Sequence, residues 1–208
     1  MTDKAKFWNR TAAKYALQPI ANEAAYQHKV QITASYLQPS MRVLELGCGT
    51  GSTALLHAPR VASILATDVS SKMLAIAQQK AAQAQVQNIE FRCAAVEDLL
   101  LPPASFEVVM AHSLLHLLED KEAVLAKAYD TLTSGGYLIT STPCLADWLN
   151  WFRYIAPLGQ TLGLLPLVRF FGQAELLKSI EQAGFVLQYQ WQPENDPRAA
   201  VFMVARKL

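Results

Sequence analysis

The chain has 208 residues, 52% hydrophobic and 17% charged, with a formal net charge of +1. That balance excludes general disorder, and it excludes a partner held mainly by charge, so no nucleic acid is expected. The three cysteines, Cys48, Cys93 and Cys144, are widely spaced without a CxxC pair and point to neither a disulfide framework nor a zinc site.

Taken in chain order, residues 1–10 lack the apolar run of a secretory signal, and a cytoplasmic protein is expected. Residues 19–39, bounded by Pro19 and Pro39, carry Ile20, Ala24, Val30, Tyr36 and Leu37 at loosely helical spacing and predict a helix. Residues 42–46 read as a buried strand that runs into a glycine-rich turn, after which Ser52 opens a helix. A second strand is predicted at 63–68, and Ser70 is the expected N-cap of a helix over 72–85. Strands follow at 89–94 and 106–111. A helix over 121–132 should stop at Gly135-Gly136, ahead of a fifth strand at 137–142. Residues 154–168 are uncharged, but the run is too short and too interrupted by Pro157, Gly159, Gly163 and Pro166 to span a membrane, which leaves an apolar cover. Last come a helix over 174–184 and two strands, 185–191 and 200–206, which should form an antiparallel pair closing one edge.

Strands alternating with helices predict an α/β, Rossmann-like, doubly wound fold, with a mostly parallel sheet and helices on both faces. Ligands of such sheets lie beyond the carboxyl ends of the strands. The turn after the first strand carries Gly47, Gly49 and Gly51 in the spacing GxGxG. A dinucleotide fingerprint needs glycine where Ser52 stands, and a phosphate-binding P-loop needs a lysine that is missing here. A nicotinamide-dependent oxidoreductase is therefore disfavoured, and a phosphate-free ligand fits better.

The run from Glu45 to Gly51, "ELGCGTG", resembles the first motif of class I S-adenosylmethionine-dependent methyltransferases. Residues 66–70, 96–109 and 132–139 resemble later motifs of that family, so the likeness spans roughly residues 40–142. Residues 7–15 and 114–120 are similar to members acting on small molecules, including quinone-type methyltransferases. The resemblance implies one methyltransferase domain over 1–208 on a seven-stranded sheet with an antiparallel last strand, an N-terminal helical cap at 1–38 and an apolar lid at 143–172. It implies S-adenosylmethionine (AdoMet) as cofactor, S-adenosylhomocysteine (AdoHcy) as product, and a small, partly hydrophobic methyl acceptor. The oligomeric state would be monomer or homodimer.

AdoMet needs close backbone approach, acceptors for a ribose diol and apolar walls. The backbone of Gly47, Cys48, Gly49 and Gly51 can give the first, Glu45 can hold the ammonium, and Asp68 at the next strand's tip can accept both ribose hydroxyls. Val69 and Met73 are expected in the adenine pocket. The family's usual acid near the adenine amino group is replaced by Ala95, which shifts that role to the Val96 backbone and Glu97; Glu107 likewise stands where many relatives have aspartate. Tyr15 is a candidate for the methionine carboxylate. His112 and His116 follow the fourth strand, where the methyl group should be presented, as pocket residues or general bases. Their spacing of four would let them share a helical face, but no HExxH pattern accompanies them and no metal is expected. The alternative from another class is a protein that binds AdoMet or AdoHcy without turnover, as a sensor or subunit.

Overall fold

A computed structural model describes residues 3–161, 163–194 and 196–208. Two helices come first, α1 (Asp3–Ala16) and α2 (Glu23–Ser35). The core follows as β1 (Arg42–Leu46), α3 (Ser52–His57), β2 (Ser63–Asp68), α4 (Ser71–Gln83), β3 (Ile89–Cys93), β4 (Phe106–His112), α5 (Lys121–Thr131) and β5 (Leu132–Thr142). Then come α6 (Ala156–Thr161), α7 (Gln173–Gln182), β6 (Phe185–Trp191) and β7 (Val201–Lys207). The seven strands form one sheet in the order β3-β2-β1-β4-β5-β7-β6. β1 to β5 are parallel; β7 runs antiparallel to both β5 and β6, as the two successive strands at the end of the sequence predicted.

The middles of the central strands are mostly apolar because both sheet faces are covered. Leu44 and Leu46 of β1 and Val109 of β4 pack with Val124 and Leu125 of α5 and Leu176 and Ile180 of α7. Val43, Val108 and Met110 face the other way, against Ala54 of α3 and Leu74 of α4. Continuous apolar strands are what a doubly covered parallel sheet requires. Glu107 holds the start of β1 in register: its carboxylate accepts from the Arg42 backbone at 2.6 Å and from the Arg42 guanidinium at 2.8 Å.

Most elements lie within one or two residues of their predicted bounds, with three differences. The helix predicted over 19–39 is confined to Glu23–Ser35, because Asn22 caps its start by accepting from Ala25 N–H at 2.9 Å. Gly135-Gly136 does not stop a helix: α5 ends at Thr131, and Leu132 already pairs with Phe106. The glycines sit inside β5, where the register shifts between Phe106 and Val108. Finally, His112 and His116 share no helix, since the first ends β4 and the second lies in a short 3-10 turn, Leu115–Leu117.

β1 and β4 are adjacent at the centre, but β1 leads outward to β2 and β4 to β5, so the chain order reverses between them. Above that reversal no crossover helix blocks the strand ends, and a cleft opens there. α1 closes one side of it by packing on α4, where Asn9 Oδ1 accepts from Ser70 Oγ at 2.8 Å and Lys72 N–H at 3.1 Å. Residues between β5 and α7 close another side through short 3-10 turns, Leu145–Asp147 and Asn150–Tyr154, and α6. That segment is tied down by Arg169 N–H donating to the His116 carbonyl at 2.7 Å and by the Arg10 guanidinium donating to the Gly163 carbonyl.

Candidate functional site

Two cavities open over the strand ends. The first has a volume of about 420 Å³ and runs from Asp68, Val69 and Met73 past Ala95, Val96 and Glu97 to Leu145 and Leu167. The second, about 360 Å³, lies beyond the glycine turn against α2 and reaches Glu45, Cys48, His57 and Ser141. Both sizes suit small organic ligands. Tyr15, Gly47, Gly49, His112 and Ser113 line both, so the cavities meet where β1 and β4 end.

The glycine turn serves two different purposes. Gly51 has φ +73°, and a Cβ there would lie 2.8 Å from Ala77 Cβ on α4, so this glycine lets a helix approach. Gly49 has φ +54°, but its missing Cβ would meet nothing closer than the Tyr15 ring at 3.9 Å. The space above Gly49 is the space between the cavities, where a ligand can touch bare backbone.

Asp68 organises the turn from the tip of β2. One carboxylate oxygen accepts from Gly49 N–H at 2.9 Å and the other from Ser70 N–H at 2.8 Å. Each oxygen has a second lone pair, so the side chain still has acceptor capacity toward the first cavity, which it lines. Burial raises its pKa while backbone N–H groups hold it down. Glu45 is 2% exposed, and its Oε2 has no hydrogen-bond partner among the described residues. Burial, and then the charge of Asp68, push its pKa up to about 8. A buried acceptor without a partner is costly, and a cationic ligand group would relieve that cost. Burial and the neighbouring acids raise the Cys48 thiol, so it stays protonated and its backbone is what the turn offers.

Ser70 caps α4 by accepting from Met73 N–H at 3.1 Å, which brings buried Met73 to the cavity wall beside Val69. At the far end, where Ala95 replaces an acid, the Glu97 carboxylate is held by Lys4 Nζ of α1 at 2.9 Å. The Val96 carbonyl is taken by Lys127 Nζ at 2.8 Å. Tyr15 stands against Trp8, ring edge to face at 6.3 Å, and leans over Gly49.

His112 lies parallel to the Phe202 ring at 6.5 Å, facing the junction. Burial, and then the neighbouring His57 and the Lys29 ammonium, which oppose a further positive charge, lower its pKa to about 3; burial lowers His116 to about 4. Both imidazoles are neutral near pH 7 and accept hydrogen bonds, but they are too weakly basic to keep a proton. Among the described residues no group of His, Cys, Asp or Glu side chains is placed to hold a metal ion.

The profile of the methyltransferase domain matches residues 43–136, the stretch holding the glycine turn, Asp68 and His112. The chain is 30% identical over 153 residues to the ubiquinone biosynthesis O-methyltransferase of Chromobacterium violaceum, covering 71% of this chain and 65% of that protein. It is 32% identical over 141 residues to the malonyl-[acyl-carrier protein] O-methyltransferase of Bacillus cytotoxicus, covering 66% of this chain and 48% of that protein. The chain thus spans between about half and two thirds of these relatives. A solved S-adenosylmethionine-dependent methyltransferase from Mesorhizobium loti shares the fold, with a TM-score of 0.73 at 21% identity over 88% of this chain and 98% of that one. Residues 43–136 thus form a methyltransferase domain, and the chain is similar in sequence and fold to class I S-adenosylmethionine-dependent methyltransferases.

Within this methyltransferase fold, the structure brings Glu45, Gly47, Cys48, Gly49, Asp68, Val69, Met73, Val96, Glu97, Tyr15, His112 and His116 to the walls of the two joined cavities. Gly51 alone among the sequence candidates faces the protein interior, against Ala77 and Phe91. Sequence reading missed Trp8, Lys29, His57 and Ser141. For Trp8 a signal existed, since Lys4, Trp8 and Tyr15 recur at i, i+4 and i+11 and fall on one helical face. No helix among the described residues is long and apolar enough to cross a membrane.

Proposed function

We propose that this methyltransferase transfers a methyl group from AdoMet to a small-molecule acceptor, releasing AdoHcy, with the two ligands seated in the two joined cavities. The observation that carries this reading is the shared wall of Tyr15, Gly47, Gly49, His112 and Ser113 at the ends of β1 and β4. AdoMet supplies an electrophilic methyl on a sulfonium. Asp68 accepts from the ribose hydroxyls, Val69 and Met73 wall the adenine side, and Val96 and Glu97 border its edge. The backbone of Gly47, Cys48 and Gly49 lies along the methionine portion, Glu45 takes the ammonium, and Tyr15 covers the carboxylate. His112 and Ser113 then border the point of transfer.

In-line displacement asks the protein chiefly to align the partners and exclude water. Residues 143–172 act as the lid: Pro143, Leu145, Pro166, Leu167 and Val168 supply apolar wall to the first cavity. Both relatives described above carry O-methyltransferase in their names, which supports an oxygen acceptor. The test is AdoHcy formation from AdoMet by the purified protein, followed by mass spectrometry with and without a protein-free metabolite extract. Extract-dependent AdoHcy is expected. AdoMet binding without turnover in any extract fraction would replace the enzyme with a sensor or subunit.

A further inference from the structure

The second cavity carries two ammonium groups beyond the residues assigned to the cofactor. One face of α2 lines it, with Tyr26, Lys29, Val30 and Thr33 at i, i+3, i+4 and i+7. Lys29 Nζ donates to Ser141 Oγ at 3.1 Å, and Ser141 is the β5 partner of His112 across the sheet. Lys80, from α4, donates to Thr50 Oγ1 at 3.1 Å and to Ser52 Oγ at 3.2 Å. Neither ammonium lies within ion-pair distance of a carboxylate among the described residues. Among the described residues Glu45 is the one acid of the lining, and it is the group assigned to the cofactor's ammonium. His57, 1% exposed, lines the same cavity, and neither ring nitrogen has a hydrogen-bond partner among the described residues.

With Glu45 assigned to the cofactor's ammonium, the two ammonium groups of the lining are left without a carboxylate partner, and Lys29 stands at Ser141, beside the strand end that bears His112. Burial lowers the Lys29 pKa, the sign of a charge that lacks its counter-ion. An amine acceptor enters neutral and gains positive charge as it is methylated, next to the Lys29 ammonium, and like charges repel strongly in a partly dry site. We propose that the second cavity takes an acidic small molecule as methyl acceptor, its anionic oxygen, a carboxylate or an ionised phenol, held by Lys29 beside Ser141. The inference rests on the methyltransferase reading and deepens it. It also accounts for the histidines: an oxygen that arrives deprotonated needs no base, and His112 and His116 are poor ones.

The test is calorimetry on the full chain saturated with AdoHcy, at about pH 8, with benzoate, 4-nitrophenolate and the neutral isostere benzamide as probes. At least one anion should bind about tenfold tighter than benzamide, the effect of one charge-assisted hydrogen bond. Which anion wins separates carboxylate from phenolate. Lys29→Met should erase the preference and leave AdoHcy affinity unchanged, while Lys29→Arg should keep the preference. Equal binding of benzamide and both anions by the wild-type protein, or binding of neither anion, overturns the inference without recourse to a variant. So does a Lys29→Met protein that loses AdoHcy affinity, because Lys29 would then serve the cofactor's carboxylate. Failure of the wild-type chain to bind AdoHcy would instead sink the methyltransferase reading itself.

Discussion

The two cavities meet at Gly49 and His112 yet are built on different principles. The first takes its shape from strand ends and turn backbone: Asp68 pins Gly49 and Ser70 by their N–H groups, and apolar side chains complete the wall. The second takes its character from side chains of α2, α3 and β5, namely Lys29, His57 and Ser141, with Lys80 of α4 near the turn. A site made of backbone serves any ligand with the same skeleton, whereas a site made of side chains can be re-specified by single substitutions. One domain can thus keep a common cofactor and change its acceptor.

The largest effect expected from breaking this division is at Gly51, which belongs to the frame of the turn. Gly51→Val drives a side chain into Ala77 at a positive φ, and should cost about 3–5 kcal/mol of stability in urea unfolding. Gly49→Ala, by contrast, meets only the Tyr15 ring at 3.9 Å, so it should cost about 1–2 kcal/mol from its positive φ and act mainly on cofactor affinity. Next comes Asp68→Ala, which removes the acceptors facing the first cavity. AdoHcy affinity measured by calorimetry should fall about a hundredfold, the sum of two hydrogen bonds to a charged group, with the protein still folded.

A smaller, pH-dependent effect belongs to the second cavity. His57 is held neutral, its pKa lowered by burial and then by Arg60 to about 4, against 6.5 for an ordinary histidine. The unfolded chain therefore takes up the proton first as pH falls. Stability from this group is complete above about pH 6.5 and declines toward about pH 4, by roughly 2 kcal/mol at pH 5. Denaturant unfolding at neutral pH and near pH 5 should show that loss, and His57→Leu should reduce the slope. The smallest effect is at the adenine edge, where Lys4 and Glu97 are a half-exposed pair with side-chain exposures of 29% and 38%. Lys4→Met should change stability by less than about 1 kcal/mol and AdoHcy affinity by no more than a few-fold.

The same division governs what the sequence revealed. Strands β1, β2 and β6 were legible to the residue, the first two as largely apolar runs covered on both faces and β6 as an alternating edge strand. The cofactor side was legible too, since Gly47, Gly49 and Asp68 answer to local rules of backbone approach and strand-end position. Gly135-Gly136 misled because a local stop signal was overridden by pairing: β4 pulls Leu132 into the sheet before the glycines are reached. Lys29 and Ser141 were not legible, being 112 residues apart and brought together only when α2 lies over the end of β5. His57 gave no hint either, since its meaning comes from burial without a hydrogen-bond partner among the described residues.

The measurement that bears most directly on the central claim, a phosphate-free cofactor across Gly49 with its ribose on Asp68, is calorimetry of the purified chain with AdoHcy and with NAD. The account predicts one-to-one binding of AdoHcy and no binding of NAD. Tight binding of NAD with none of AdoHcy would contradict it.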